Sequence, residues 1–269
     1  MFFLLIFTIS SNILLSACAA IIFGFHPVHT EAVANIAGRP ELLYTCFLFA
    51  AWIILEKRRS PAWSSAAAAL CLFAALLSKE TAVMFPFMVL ALDLVQRRPL
   101  LTKTSAIRYI PMAAALALYL LIRWSVLMHL PEYQIPPIDN PIAHSPVIER
   151  VATAFAVLAK YIVQLIFPLR LSSDYSYNEI PAVSTFVSPG PLLGVSLFAG
   201  LIALAIAGRR KNHMIPFAVI LFLFPYIIIS NLFFSIGTIM GERLMYLPIA
   251  GFALGAALLI EPLLRSLLA

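Results

Sequence analysis

The run Ala68-Ala69-Leu70-Cys71-Leu72-Phe73-Ala74-Ala75-Leu76-Leu77-Ser78-Lys79-Glu80-Thr81-Ala82-Val83-Met84-Phe85 decides the fold. An apolar segment stops at Ser78, exposes one Lys-Glu pair, and returns at once to apolar residues. Such a pattern reads as a tight turn between two membrane-crossing helices, with Lys79 held at the membrane boundary. Working outward, comparable apolar runs occupy about 1–25, 41–55, 62–78, 81–95, 109–128, 189–207, 214–233 and 246–262, so the sequence predicts eight spans.

Composition agrees. The 269 residues are 62% hydrophobic and only 11% charged, with a mean hydropathy of +0.99, whereas soluble domains are roughly a quarter charged. A soluble globule is excluded, and the expected class is an all-α polytopic transmembrane helical bundle forming a single domain over 1–269. The net charge of +6 does not indicate nucleic acid, because the basic residues sit in short clusters between apolar runs. Cys18, Cys46 and Cys71 all lie inside apolar segments and read as thiols without a disulfide role. Leu15-Ser16-Ala17-Cys18 resembles a lipoprotein cleavage box, but no basic region precedes it and the chain stays apolar beyond Cys18. The first run therefore reads as a membrane helix and not as a signal peptide.

Lys57-Arg58-Arg59, then Arg97, Arg98, Lys103 and Arg108, then Arg209-Arg210-Lys211 form three basic loops, which the positive-inside rule assigns to the cytoplasm. The other basic residues, apart from Arg265, are Arg39, Lys79, Arg123, Arg150, Lys160, Arg170 and Arg243, and these fall toward the outer side. Parity speaks against a crossing at 150–168. Were Val151 to Pro168 a span, one flanking basic loop would face the wrong side. Lys160 and Gln164 lie in the middle of this segment, which is therefore expected to be a helix in the outer interface.

Five polar clusters share the outer side: His26 to Glu41; Ser78-Lys79-Glu80; Asp139-Asn140-Pro141; Asp174-Tyr175-Ser176-Tyr177; and Gly241-Glu242-Arg243-Leu244-Met245-Tyr246. Polar residues are costly beside lipid, so such groups mark a functional site. Lys79 and Arg243 are suited to a lipid-linked phosphate, whose charge lies at that depth. The alternative is that both snorkel to headgroups or pair with the adjacent Glu80 and Glu242. His26-x-x-His29 with Glu31 lacks the order and the third ligand of a zinc site, so no metal is expected. Thr30 is placed to cap a helix through Glu31-Ala32-Val33-Ala34 that Gly38 ends. Asp93 and Arg97, four apart, are placed for a local pair. No Gly-rich nucleotide loop is present.

The ordered motifs resemble a known family. His26-Pro27-Val28-His29-Thr30-Glu31-Ala32-Val33 and Gly38-Arg39-Pro40-Glu41-Leu42-Leu43 are similar to the signature of the transmembrane and tetratricopeptide-repeat (TMTC) O-mannosyltransferases and their bacterial relatives. Leu77-Ser78-Lys79-Glu80, Asp139-Asn140-Pro141, Leu171-Ser172-Ser173-Asp174-Tyr175-Ser176 with Ile180-Pro181, and Ser230-Asn231-Leu232-Phe233-Phe234 through Glu242-Arg243-Leu244-Met245-Tyr246-Leu247-Pro248 continue it across nearly the whole chain. The resemblance implies a GT-C fold, a polyprenyl-phosphate sugar as donor, no further cofactor, and transfer of mannose to a protein hydroxyl on the non-cytoplasmic face of a bacterial inner membrane or endoplasmic reticulum. Lys79 and Arg243 would hold the donor phosphate. His26, His29, Glu31, Arg39, Glu41, Glu80, Asp139, Asp174, Glu242 and Tyr246 would line the cavity. GT-C enzymes carry their acidic catalytic motif in a first outer loop, and the family carries repeats downstream. Neither is expected within these residues, so the chain reads as a partial domain in which Glu31 and Glu41 are the carboxylates at hand for a base. The reading from another class is a transporter or lipid-handling membrane protein; a third is a structural module that anchors a partner.

Overall fold

The computed structural model describes residues 1–57, 61–131 and 134–268. Among them the regular structure is helical: α1 (Phe2–Ser10), α2 (Ile13–Phe25), α3 (His29–Ala34), α4 (Arg39–Glu56), α5 (Pro61–Ser78), α6 (Phe85–Val95), α7 (Lys103–Leu127), α8 (Val147–Ile166), α9 (Pro189–Gly208), α10 (Met214–Ile229) and α11 (Pro248–Leu268), with 3₁₀ turns at Ile36–Gly38, Glu80–Met84 and Glu242–Met245. The chain is a polytopic helical bundle. Five stretches, Ile36–Glu56 (α4 with its leading 3₁₀ turn), α5, α7, α9 and Pro248–Leu267 of α11, are long and apolar enough to cross a membrane, while α2 and α10 are shorter apolar helices. Arg58 and Arg59 of the first basic loop lie outside the described residues.

The first expected span is instead two helices. Ser11 takes a left-handed conformation (φ 53°), and Asn12 caps α2 by accepting the Leu15 N–H at 3.1 Å. The two helices fold back as a hairpin, with the Phe2 ring 5.0 Å from Phe23. At about 1.5 Å per residue, α1 and α2 reach only about 14 and 20 Å, both short of a roughly 30 Å hydrocarbon core. Thr30 does not cap α3. Its hydroxyl donates to Pro27 O at 2.7 Å, and α3 begins a residue earlier, at His29. Gly38 ends the 3₁₀ turn before α4 and sits so close to the Ala32 backbone that a Cβ would not fit.

Two cores hold the bundle. The larger joins α1, α2, α4, α5, α6, α7, α10 and α11 around Trp52, whose ring meets Phe85 and Phe217 edge-on at 5.4 and 5.0 Å. The second joins α8, α10, Tyr175 and the segment Ile239–Ile249 through Val157, Leu158, Tyr161, Tyr226 and Met245. Helix α10 is buried on nearly all sides and contributes to both. Beside lipid, close packing more than water exclusion stabilises such contacts. Gly194 of α9, for example, lies against the Phe155 carbonyl of α8 with no space for a side chain.

Among the described residues the ion pairs gather near helix ends. At the end carrying the basic loops, Arg98 grips Glu56 at 2.9 and 2.6 Å and Asp93 at 2.9 Å, while Arg108 reaches Glu56 at 2.9 Å and Tyr109 donates to Asp93 at 2.6 Å. The expected Asp93–Arg97 pair is absent. Arg97 occupies a left-handed turn (φ 54°) that leaves it exposed, and Arg98 takes its place. Polar loops also meet α8 before and after its helical residues. Ahead of it, Asn140 donates to Asn231 Oδ1 at 2.9 Å and Ile236 O at 2.7 Å; behind it, Leu165 O meets His26 at 3.0 Å.

Candidate functional site

His26 follows α2 in an extended conformation. Its Nε2 faces Leu165 O, its Nδ1 accepts the Val28 N–H at 3.3 Å, and its ring meets Phe252 edge-on. Both nitrogens are thus occupied, which removes it as a free metal ligand. His29 opens α3 and is buried between Phe23 and Tyr246, with ring centroids at 4.7 and 4.4 Å. Burial, with a lesser push from His26, takes its imidazole down to about 4 against the weaker effect of the Phe23 backbone, so it is neutral near pH 7.

Two ion pairs connect distant parts of the chain. Lys79 leaves the end of α5 in an extended conformation and its ammonium pairs with Glu41 in the first turn of α4. Arg243, in the 3₁₀ turn before α11, binds Glu31 of α3 twice: its Nη1 meets one oxygen at 2.8 Å and its backbone N–H donates to the other at 2.8 Å. The sequence-adjacent acids Glu80 and Glu242 are not the partners. Burial pushes the Lys79 ammonium down to about 8, opposed by Glu80, reinforced by Arg243 and opposed again by Glu31. These mutual influences place Lys79, Glu80, Glu31 and Arg243 in one electrostatic neighbourhood.

Glu242 is buried and faces the loop after α8. Its Oε1 accepts the Tyr175 hydroxyl at 2.7 Å and the Ser172 N–H at 2.6 Å, and Gln164 of α8 donates to Tyr175 Oη at 2.7 Å. Burial raises the Glu242 carboxyl above the usual range; the two hydrogen bonds oppose this and Glu31 adds to it. Tyr161 fixes the turn by donating to Gly241 O at 3.0 Å and accepting the Gly241 N–H at 2.9 Å. Between α3 and the 171–173 loop lies a cavity of about 410 Å³, lined by Thr30, Glu31, Asn35, Ser172, Ser173 and Glu242.

His26, His29, Glu31, Glu41, Lys79, Glu242, Arg243 and Tyr246 are therefore brought together. Four other residues of the sequence-based set lie outside this buried cluster. Arg39 is exposed. Glu80 is exposed beside a smaller cavity that Lys79, Tyr119 and Arg123 also line. Asp139 contributes its carbonyl, which accepts the Ile239 N–H at 3.2 Å, and its neighbour Asn140 is the buried residue. Asp174 is exposed and accepts the Ser176 N–H at 2.9 Å in a local turn. Tyr161, Gln164 and Ser172 are site-forming residues outside the sequence-based site set.

Comparison with known proteins follows this geometry. The family model described as "Protein O-mannosyl-transferase TMTC, DUF1736" matches residues 128–202, which run from the end of α7 through α8 and the Ser172–Tyr175 wall into α9. The chain resembles the TMTC protein O-mannosyl-transferase family. It is 28% identical over 246 residues to Protein O-mannosyl-transferase F38B6.6 of Caenorhabditis elegans, covering 91% of this chain and 34% of that protein. It is 28% identical over 272 residues to mouse Protein O-mannosyl-transferase TMTC3, covering 89% and 29%. Mouse TMTC1 is 34% identical over 122 residues, covering 43% of this chain and 13% of that protein. The TMTC-like chain thus spans about a third of the length of its first two relatives. No solved structure matches it.

Proposed function

We propose that this chain carries the donor site of a GT-C-type glycosyltransferase that moves a sugar, mannose on the family resemblance, from a polyprenyl phosphate to a protein hydroxyl at the non-cytoplasmic face of a membrane. The observation that carries this reading is the pairing of Lys79 with Glu41 and of Arg243 with Glu31. Two cations from distant stretches meet at one end of an apolar bundle, each held by a carboxylate that a phosphate can replace. An apolar cavity of about 530 Å³ among α8, α9, α10 and α11 includes Leu165 and Phe252, the residues His26 touches. A polyprenyl chain lying there would leave its phosphate at the charged end. The relatives named protein O-mannosyl-transferases support the choice of sugar and of a protein acceptor.

The reaction is an inverting displacement at the anomeric carbon. The acceptor oxygen attacks the anomeric carbon while a carboxylate base takes its proton, the bond to the phosphate oxygen breaks with its electron pair leaving on the phosphate, and Lys79 and Arg243 stabilise the charge that develops there. The gathering of the ion pairs near helix ends speaks against a transporter, whose sites lie near the bilayer midplane. The test is Lys79→Ala in the full-length protein, measured as transfer of labelled sugar from a polyprenyl-phosphate donor to an acceptor peptide. The variant should fold and transfer nothing; wild-type rates would overturn the assignment.

A further inference from the structure

Arg98 and Arg108 do more than hold Glu56 and Asp93. With Asp93, Ser65, Thr102 and Thr104 they line a cavity of about 420 Å³ between the starts of α5 and α7. Ser65 and Lys79 are separated by most of α5, roughly 20 Å at about 1.5 Å per residue, so this cavity lies well away from the Lys79 ion pair. Its carboxylates are already matched. Asp93 accepts from Arg98 on Oδ1 at 2.9 Å and from Tyr109 on Oδ2 at 2.6 Å, and Glu56 accepts from Arg98 on both oxygens. Its donors are not. Arg98 bonds through Nη1 and Nη2, and among the described residues its Nε–H and the hydroxyls of Ser65 and Thr104 make no hydrogen bond. Lys57, Arg97 and Lys103 are exposed and adjoin residues of this network or its wall in sequence, so five basic residues stand against two acids here.

We propose that this cavity binds the phosphate of an anionic membrane lipid from the leaflet that the basic loops face. Arg98, Ser65 and Thr104 meet the phosphate oxygens, because a cation and hydroxyls aimed at phosphate form strong charge-assisted hydrogen bonds. Arg108, pinned by Leu55 O at 3.2 Å and Glu56 at 2.9 Å, adds positive charge beside them. Basic pockets between helices at the cytoplasmic side suit such headgroups. The surroundings favour a lipid over a free phosphate. Trp63 and Leu101 adjoin the cavity wall in sequence and are exposed, and an indole so placed suits the headgroup level of a membrane. Helices α5 and α7, which wall the cavity, are apolar enough to span and leave most of their residues unburied, which gives the acyl chains a track. The arginines keep their carboxylates when the lipid binds, so the ion-pair network holds the site in shape beforehand.

The test uses the full-length protein in nanodiscs of phosphatidylcholine, alone or in equal mixture with phosphatidylglycerol, read by native mass spectrometry of the retained lipids and by thermal unfolding. Wild type should retain phosphatidylglycerol in preference to phosphatidylcholine and unfold at a higher temperature with it. Thr104→Glu and Lys103→Gln make the same change of charge at neighbouring positions, and of the two only residue 104 lines the cavity. Both positions are exposed, so both variants should fold. Thr104→Glu should weaken phosphatidylglycerol retention by about thirtyfold or more, and Lys103→Gln by about fivefold at most. Equal losses in the two variants would reduce the site to a diffuse positive face and overturn the proposal, as would equal retention of the two lipids by wild type. Inorganic phosphate tests the other source of the same chemistry. If phosphate in detergent stabilises the protein as much as phosphatidylglycerol does, the ligand is a free anion and the lipid assignment falls. No arm depends on sugar transfer.

Discussion

Replacing Glu41 by glutamine isolates the energetics of the Lys79 pair. The carboxylate is almost wholly buried, and the Lys79 side chain is 16% exposed, so solvent screening is weak. Removing one partner of a buried pair costs about 3–5 kcal/mol, because the remaining charge is left uncompensated. Lys79 has an escape, since burial already brings it to about 8. Without Glu41 the ammonium can escape by shedding its proton on folding. Carrying a neutral lysine costs about 1.36 kcal/mol for each pH unit below an unfolded value of about 10.4, or about 4.6 kcal/mol at pH 7 and about 1.2 kcal/mol at pH 9.5. The sign follows from proton counts: the unfolded chain binds the proton that the folded variant lacks, so the stability of the variant rises with pH across this window. Wild-type Lys79 at about 8 already carries about 3.3 kcal/mol of this cost, so denaturant unfolding in detergent should find Glu41→Gln less stable by about 1.3 kcal/mol near pH 7, with the deficit gone by about pH 9.5. Glu41→Leu combined with Lys79→Met should recover most of the loss. A pH-independent deficit, or a double variant whose losses simply add, would refute the coupling.

Other expectations are simpler. Gly194→Ala should lower stability by about 1–3 kcal/mol, because its new methyl would meet the Phe155 backbone; Gly200→Ala in the same helix, with open space around it, should be neutral or slightly stabilising, and thermal unfolding separates the two. Asn140→Ala removes the donor that ties the 140–145 loop to Asn231 and Ile236, and leaves buried acceptors unmatched. A loss of about 1–3 kcal/mol should follow, with faster protease cutting in 231–240. Cysteines placed at Ser145 and Ser173, on either side of α8, should both react with an impermeant thiol reagent from the non-cytoplasmic side; labelling from opposite sides would make α8 a span.

The helical class and most helix positions were legible because apolar runs of membrane length admit few other structures. The break at Ser11 was legible in principle. Ser10-Ser11-Asn12 is a cap-rich interruption, but it lies in so apolar a run that hydropathy smooths over it. The His26–Glu41, Lys79 and Glu242–Arg243 stretches come together as expected, Asp139 and Asp174 do not join them, and the partner choices were not anticipated. Proximity in sequence favoured Glu80 for Lys79 and Glu242 for Arg243. The extended backbone at Lys79 turns its side chain toward α4, and the 3₁₀ turn sends Glu242 and Arg243 to different neighbours. Pairings across 38 and 212 positions depend on how helices stack, which a single sequence does not encode locally.

The bond between Tyr161 and Gly241 sets what residue 161 can be. Its oxygen gives a hydrogen to the glycine carbonyl and takes one from the glycine amide, and of the ring side chains that long only a phenol does both. Phenylalanine would preserve the packing and abandon two buried backbone groups together, while tryptophan can donate but not accept. A substitution that looks conservative by shape would therefore behave as a double deletion, and its cost would fall on the turn that carries Glu242 and Arg243.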